Sequence, residues 1–385
     1  MHEAAGRVYK VVTQTVIPLM ELPGSGLHWC IRMFMAVRVP HAFRRSAVIV
    51  AAAALSAMPL VTAQAPQSAQ IDKPIQVQAT EVIVPVTVTD EKGRFVSNLT
   101  KSDFHIYDEG KEQTIDYFGH DQVAQPVVIG FLIDMSNAMK IHWAKYQEAA
   151  SELMLNLLPG DKRYSGYLIT YGNEAELAVN TSSDSEKMVE KLKKYKPAGG
   201  AALYDAIYMA CTNRALVKGE PYEPRRVIII IGDGHDSASK KSLQEVTEIA
   251  QRNLVTIYAM SSTAFGFHSE GEETLTKLTD ETGGKVEQPL NDVYKDVAGF
   301  LSKPSDEGNY ALTVGTGGYT AELAKSIFRS VANLSGEITT QYVLRYHPDI
   351  PAGPKGAKVY RKIKVGVNLL NVNVRYRKGY YPFAP

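Results

Sequence analysis

The chain has 385 residues, a length typical of two or three domains rather than one. Its residues are 45% hydrophobic, 22% charged and 9% aromatic, which excludes a disordered or collagen-like chain. With 42 Lys and Arg against 41 Asp and Glu, the net charge is only +1. There is no overall basic field of the kind that attracts nucleic acid, so we expect no nucleic-acid partner.

Residues 1–65 have the features of a signal peptide. The segment 46–61, SAVIVAAAALSAMPLV, carries no charge and follows the basic pair Arg44-Arg45. Residues 63–65, Ala-Gln-Ala, then provide the small-x-small sequence that a signal peptidase accepts. We therefore predict cleavage after Ala65.

A transmembrane anchor is the alternative for this apolar segment. Its sixteen residues are rich in alanine and interrupted by Pro59, which falls short of the ~20 strongly apolar residues that span a bilayer. The region before it would be unusually long if Met1 were the start, so Met33 or Met35 is the better start. We predict an exported protein, periplasmic or extracellular, with no stable membrane span after cleavage.

Cleavage would change the charge and the thiol content of the protein. The residues that remain include 36 basic and 39 acidic ones, a net charge of −3. Cys30 would be removed and Cys211 would be the single thiol. One cysteine excludes a disulfide framework and a multi-cysteine zinc site, and it suits an oxidising compartment.

The predicted mature chain opens with strands. Residues 66–74 are rich in Pro, Gln and Ser and are typical of a linker. Residues 75–90 alternate apolar and polar side chains, as half-buried strands do. Further strands are predicted at 104–107 and 113–118. This N-terminal β module, residues 75–122, is too small to bury much core without a partner surface.

Residues 123–335 alternate strands with helices. The continuous apolar runs at 127–133 and 226–231 are typical of strands covered on both faces of a parallel sheet. Additional strands are predicted at 165–171, 175–179 and 255–260, and helices at 143–158, 185–195, 203–216, 242–253, 272–282 and 320–334. This alternation predicts an α/β fold with a doubly wound, Rossmann-like sheet. Residues 287–319 have the character of an insertion in it.

The C-terminal segment, residues 336–385, returns to strand patterns. Strands are predicted at 341–346, 360–368 and 372–376. They are the natural partners of the N-terminal module. We therefore predict a small β-sandwich-like domain, formed from N- and C-terminal strands, that flanks the α/β domain.

Two aspartates follow the central apolar strands. Asp134 comes directly after the run at 127–133, and Asp233 follows the run at 226–231. In doubly wound sheets ligands bind beyond the carboxyl ends of the strands. Both carboxylates are therefore expected at the ligand-binding edge of the sheet.

Three segments at this predicted edge resemble the von Willebrand factor type A (VWA) domain. They are Asp134-Met135-Ser136-Asn137-Ala138, the segment 199–205 (GGAALYD) and Gly232-Asp233-Gly234. Residues 75–118, together with QYVL at 341–344 and RKGYY at 377–381, are also similar to the secreted "VWFA-related" proteins abundant in Acidobacteria.

This resemblance implies a metal-ion-dependent adhesion site, in which an Asp-x-Ser-x-Ser loop, a Thr and a third-loop Asp hold Mg²⁺. Asp134, Ser136 and Asp233 match that pattern, whereas Ala138 and Ala201 stand at the second Ser and the Thr. Alanine offers no oxygen, so we expect a degraded site with weakly bound Mg²⁺ or no cofactor at all. The alternative is that the two aspartates only cap helices.

By resemblance, the function is that of an exported, non-catalytic protein-binding or adhesion module. Its partner would be a protein in the envelope or the extracellular space, and its predicted protein-binding loops contain Asn137, Gly200, Asp205, His235 and Asp236. A structural component of envelope assembly is an alternative. A serine hydrolase using Ser136 and His235 is less favoured, because the chain has no G-x-S-x-G nucleophile elbow.

Two basic clusters need an explanation. Lys187, Lys191, Lys193, Lys194 and Lys196 lie on a predicted helix and its end, interrupted by glutamates, and are interpreted as a solvated surface. The second cluster lies on C-terminal strands, and we interpret it as a solvent-exposed strand face, with a docking face for an anionic partner as the alternative. It comprises Arg361, Lys362, Lys364, Arg375, Arg377 and Lys378.

Overall fold

A computed structural model describes residues 81–120, 126–160, 163–213, 216, 224–263, 269–290, 317–349 and 359–382. The predicted signal peptide, the linker and most of the predicted insertion lie outside the described residues. None of the helices within these ranges combines the length and apolar character needed to cross a bilayer.

Four strands precede the α/β part of the chain: β1 (Val82–Asp90), β2 (Phe104–Asp108), β3 (Lys111–Gln113) and β4 (Tyr117–Gly119). The prediction of one strand over 113–118 is therefore wrong. β3 pairs with β2, whereas β4 belongs to another sheet. The chain crosses between the two sheets at residues 114–116, where the Asp116 N–H donates to the carbonyl of Arg345 over 2.8 Å.

A six-stranded sheet forms the centre of the molecule. β5 lies between β8 and β6 in the order β10-β9-β8-β5-β6-β7, with β7 antiparallel to β6 and the other neighbours parallel. Every residue of β5 and β8 is buried, as the apolar runs at 127–133 and 227–231 predict, but β8 also buries Arg225 and Arg226. The strands are β5 (Val127–Asp134), β6 (Tyr164–Tyr171), β7 (Ala175–Ser182), β8 (Arg225–Gly232), β9 (Thr256–Ser261) and β10 (Val286–Glu287).

Helices cover both faces of this sheet: α1 (Trp143–Leu157), α2 (Ser185–Leu192), α3 (Leu203–Thr212), α4 (Leu243–Arg252), α5 (Glu270–Thr282) and α6 (Gly317–Thr340). Apolar residues of α1, α2 and α6 pack on one face, and those of α3, α4 and α5 pack on the other. Helices on both faces of a mostly parallel sheet, with additional strands towards both ends of the chain, confirm the predicted fold class.

Several helix ends differ from the prediction. α2 stops at Leu192, because the Tyr195 N–H bonds the carbonyl of Leu192 in a tighter turn. α3 ends at Thr212 rather than at residue 216. α6 is longer than predicted and continues to Thr340, immediately before the next strand.

The last four strands join the first four in two further sheets. They are β11 (Tyr342–Tyr346), β12 (Arg361–Val367), β13 (Val372–Arg375) and β14 (Gly379–Tyr380), in the orders β13-β1-β11-β4 and β14-β12-β2-β3. Val84 of β1 lies opposite Leu344 of β11, and both pack in one core with Ile106 and Val365 of the other sheet. Strands from the two ends of the chain thus share a hydrophobic core.

The interpretation of the C-terminal basic cluster as a solvent-exposed face is wrong for two arginines. Arg361 and Arg377 are buried. The Arg377 guanidinium donates to the carbonyl of Leu254 over 2.8 Å, and burial lowers the pKa of Arg377 to about 10. Alternation along β12 exposes Lys362 and Lys364 instead.

Candidate metal and protein-binding edge

Asp134 and Asp233 lie at the same edge of the central sheet. Asp134 is the last residue of β5, and Asp233 directly follows β8. The two strands are parallel neighbours, with Ile133 opposite Ile231. Their carboxyl ends therefore meet, which is the position at which ligands bind in sheets of this kind.

The Asp134 carboxyl group is completely buried, and only one of its two oxygens accepts a hydrogen bond from a described residue. Its Oδ1 accepts a hydrogen bond from the Ser136 N–H over 2.6 Å. Its Oδ2 has no hydrogen-bond partner among the described residues. Burial, assisted by the nearby negative charge of Asp233, raises the pKa of Asp134 from 3.8 to about 7. A buried carboxylate oxygen that no described protein group satisfies is unusual, so this oxygen is a candidate to contact a ligand.

Two hydroxyl groups at this edge are buried in the same way. Neither Ser136 Oγ nor the Tyr171 hydroxyl has a hydrogen-bond partner within the described part of the chain. A Cβ atom on Gly232 would lie 2.5 Å from the Tyr171 hydroxyl oxygen and 2.7 Å from Asp134 Cβ. Only glycine therefore fits between them, and the phenol lies beside the aspartate.

Tyr171 was missed by the sequence analysis. It is the last residue of β6, a strand that also ends at this edge. That position is the signal that could have identified it. Burial raises the pKa of Tyr171 well above its usual value, and the charges of Asp134 and Asp233 raise it further. The phenol therefore stays protonated and can donate a hydrogen bond.

Asp233 differs from Asp134 because it is partly exposed and already engaged. Its Oδ1 accepts from the His235 N–H over 2.9 Å, and its Oδ2 lies 3.5 Å from His235 Nδ1. The Asp233 carboxylate is thus already in contact with the backbone and the imidazole of His235, in the loop that follows β8.

The two alanines occupy different environments. Ala138 is exposed on a short 3-10 turn, Asn137–Ile141, whereas Ala201 is buried. The Ala201 N–H donates to Ser237 Oγ over 3.0 Å, which connects the second loop to the third. Neither side chain can supply a ligand oxygen.

Several of the remaining predicted loop residues form hydrogen bonds that connect the loops to one another. The Gly200 N–H donates to Asn173 Oδ1 over 2.7 Å. Asp236 Oδ1 accepts from the Tyr204 N–H over 3.0 Å, in the first turn of α3. The Asp205 carboxylate accepts from the backbone of Lys240. Both aspartates are half-buried, and Asn137 and His235 are exposed.

The geometry does not place a base beside Ser136, as a serine hydrolase would require. A nucleophilic serine needs a base within hydrogen-bonding distance. The Ser136 hydroxyl has no hydrogen-bond partner among the residues that the structure describes, and His235 Nδ1 lies 3.5 Å from Asp233 Oδ2 instead.

Only a few protein oxygens at this edge could coordinate a cation. Within the described ranges, no group of three or more His, Cys, Asp or Glu side chains could bind a metal ion. Asp134 Oδ2 and Ser136 Oγ are unpartnered oxygens, and Asp233 adds a second carboxylate. These hard oxygen donors fit Mg²⁺ that retains several waters, since that ion is often held by one or two carboxylates.

Comparison with known proteins agrees with this architecture. A family model, "von Willebrand factor type A domain", matches residues 129–292. No curated protein matches the chain.

Solved structures with a similar fold share little sequence with this chain. The "conserved hypothetical protein BatB" of Bacteroides thetaiotaomicron is 16% identical with a TM-score of 0.34, covering 46% of this chain and 100% of that one. Proximal thread matrix protein 1 from the mussel byssus, with a "zinc occupied MIDAS motif", is 17% identical with a TM-score of 0.37, covering 48% of each chain. The pilus tip protein Mfa5 of Porphyromonas gingivalis is 14% identical with a TM-score of 0.28, covering 47% of this chain and 52% of that one.

The family match covers the strands and loops that carry the candidate site, from β5 to beyond β10. The mostly parallel sheet with helices on both faces is the architecture that the sequence motifs imply. The chain therefore contains a von Willebrand factor type A domain at residues 129–292.

Proposed function

We propose that this protein is a non-catalytic protein-interaction module that binds its partner through the loops around Asp134. The observation that carries the proposal is the short turn that follows Asp134 and Ser136, in which Asn137, Ala138, Lys140 and Ile141 are exposed. The turn offers surface that a partner can cover, whereas the unpartnered oxygens of Asp134 and Ser136 are buried and would reach a partner only through a bound cation or a water.

Ile141 is the central residue of this proposed contact. It ends the turn that follows Ser136, and it is 81% exposed. Covering an isoleucine completely stabilises a complex by roughly 1.5–3 kcal/mol. The neighbouring Asn137 and Ala138 are also exposed, so the turn offers a mixed polar and apolar surface.

Metal has a secondary role in this proposal. Ala138 and Ala201 remove two of the expected oxygen ligands, so a bound Mg²⁺ would be held weakly. Recognition then depends on the shape and apolar surface of the loops more than on a metal-bridged carboxylate of the partner. The site is in this sense degraded.

Export is the proposed context of the interaction. The apolar segment 46–61 and the Ala-Gln-Ala sequence at 63–65 support a cleaved signal peptide. Similarity of both ends of the chain to secreted VWFA-related proteins supports the same location. The partner would then be a periplasmic or extracellular protein.

The test is affinity capture from envelope extract with matched surface variants. We expect Ile141→Asp, and separately the pair Asp134→Ala and Asp233→Ala, to lose the captured partner. Leu370→Asp is the control, because Leu370 is 88% exposed but lies in the turn between β12 and β13. Equal capture by the wild type and all variants would contradict the proposed binding face.

Catalysis is tested separately on the same protein. A fluorophosphonate probe reacts with activated serines, and we expect no labelling, because Ser136 lacks a base within hydrogen-bonding distance. Labelling of wild type that Ser136→Ala and His235→Ala both abolish would favour the hydrolase instead.

A further inference from the structure

A groove lies on the central sheet between the edge strand β7 and the helix α2. It has a volume of about 300 Å³ and is lined by residues 178–180 of β7 and by Lys187, Glu190, Lys191 and Lys194. Three of the four charged side chains are therefore cationic. The groove is not built from any residue of the Asp134 edge.

The three lysines have no anionic partner. Across the described parts of the chain, no ion pair joins Lys187, Lys191 or Lys194 to a carboxylate. The Lys191 ammonium lies 5.5 Å from the ring centre of Tyr195, a cation–π contact that holds it on this side of the helix. Lys187 and Lys194 are exposed. With three lysines against one glutamate in its lining, the groove has a net positive charge, on a chain whose part beyond residue 65 carries a net charge of −3.

One wall of the groove is the last strand of the sheet. β7 pairs with β6 on one side, and no described strand pairs with it on the other. A terminal strand presents backbone N–H and C=O groups that another extended chain can bond. The groove therefore offers hydrogen-bonding backbone next to a row of cations.

The spacing of the lysines fits an extended ligand. Lys187 and Lys191 are one helical turn apart, about 6 Å along the axis of α2. In an extended chain, side chains on one face repeat every second residue, about 6.6 Å apart. Carboxylates at alternate positions of such a chain would match successive lysines.

We infer that the groove between β7 and α2 binds an extended acidic peptide segment of a partner protein, with acidic residues at alternate positions. The lysines favour a negatively charged peptide, and the edge of β7 favours a peptide with an extended backbone. This site is separate from the loop edge proposed above, and either could exist without the other.

The experiment measures fluorescence anisotropy of a labelled peptide that alternates threonine with glutamate. In the triple variant Lys187→Gln, Lys191→Gln and Lys194→Gln, we expect about tenfold weaker binding, since three modest charge contacts are lost. Glutamine keeps the helix propensity of α2. The matched control is Lys193→Gln with Lys196→Gln, which removes two exposed lysines that do not line the groove.

Two further probes test the class of ligand. An N-methylated version of the same peptide keeps its charge but cannot donate backbone hydrogen bonds, so we expect it to bind more weakly. A sulfated glycan is the competing polyanion. The inference is overturned if the peptide does not bind, if the triple variant and the control bind equally, if N-methylation has no effect, or if the glycan binds the groove more tightly than the peptide.

Discussion

The hydroxyl of Thr87 donates a hydrogen bond of 3.0 Å to Glu337 Oε1, although the two residues are 250 positions apart. Thr87 belongs to β1, and Glu337 to the last turns of α6. Glu337 is 1% exposed and also pairs with Arg375 of β13. A buried carboxylate thus connects the long helix of the α/β part with strands from both ends of the chain.

Gln341 extends this connection to the central sheet. Its Nε2 donates to Thr87 Oγ1 over 2.9 Å and to the Tyr258 hydroxyl over 2.7 Å. Its Oε1 accepts from the guanidinium of Arg225 over 3.1 Å. These groups are buried and hydrogen-bonded to one another, although Arg225 Nε has no partner among the described residues, so loss of one group leaves others without a partner.

We predict that Glu337→Ala destabilises the protein by about 1–3 kcal/mol, because it leaves the buried Thr87 hydroxyl and the partly exposed Arg375 guanidinium without their acceptor. Urea unfolding measures this change. Glu322→Ala on the same helix is the control, since the Glu322 side chain is 40% exposed and pairs only with Lys325. Equal stability of the two variants would show that the buried network contributes little.

A second prediction concerns stability against pH. The pKa of Asp134 is raised by burial from 3.8 to about 7, so the folded protein retains a proton that the unfolded chain releases in this interval. The contribution of this carboxyl group to stability is complete below pH 3.8 and is lost as pH rises to about 7. Through this group alone, we expect the free energy of unfolding to fall by a few kcal/mol.

Asp134→Asn is the variant that isolates this effect. Asparagine keeps the oxygen that accepts from Ser136 but cannot ionise. The difference in free energy of unfolding between variant and wild type, measured without divalent cations, should therefore grow in favour of the variant from pH 4 to pH 7. A constant difference over that interval would contradict the raised pKa.

The positions of the site strands could be predicted because strands that are buried on both faces have continuous apolar sequences, as at 127–133 and 227–231. The arginines of the last strands could not be interpreted in the same way. Arg361 and Arg377 are buried: the Arg377 guanidinium donates to the carbonyl of Leu254, which lies 123 positions away in the chain, and Arg361 Nη1 lies 3.5 Å from the Tyr380 hydroxyl. Charge alone predicted exposure there, and tertiary hydrogen bonding overrides it.

The candidate site could likewise be predicted only in part. The motif around Asp134 and the alanines at 138 and 201 can be identified from the sequence. Two other features depend on how β5, β6 and β8 pack: Asp134 Oδ2 has no hydrogen-bond partner among the described residues, and Tyr171 lies beside it. A residue that acts through packing of neighbouring strands carries no local motif.

A third prediction concerns the thiol of Cys211. The side chain is completely buried in α3, and burial raises its pKa to about 12. Because the thiolate is the reactive form, we expect iodoacetamide to leave native Cys211 unmodified at neutral pH and to alkylate it fully in denaturant. Mass spectrometry measures both states. Rapid alkylation of Cys211 in the native protein would show that α3 opens readily.

The fourth prediction restores the missing ligands. Calorimetric titration of wild type with Mg²⁺ should show weak binding or none, because only three of the five ligand positions of the VWA pattern, Asp134, Ser136 and Asp233, have a side-chain oxygen. The double variant Ala138→Ser and Ala201→Thr adds two hydroxyls at the positions where the VWA pattern has them. We expect Mg²⁺ affinity to rise by about tenfold or more.

Two controls decide what this rise means. Adding Asp134→Ala to the double variant should abolish binding, since it removes the buried carboxylate that the two hydroxyls would assist. Ala201 is buried, so the melting temperature without Mg²⁺ shows whether threonine fits there. Micromolar binding by wild type, lost in Asp134→Ala, would contradict the degraded site. Unchanged affinity in a stably folded double variant would place the limiting defect in Asp233, whose carboxylate is already engaged by His235.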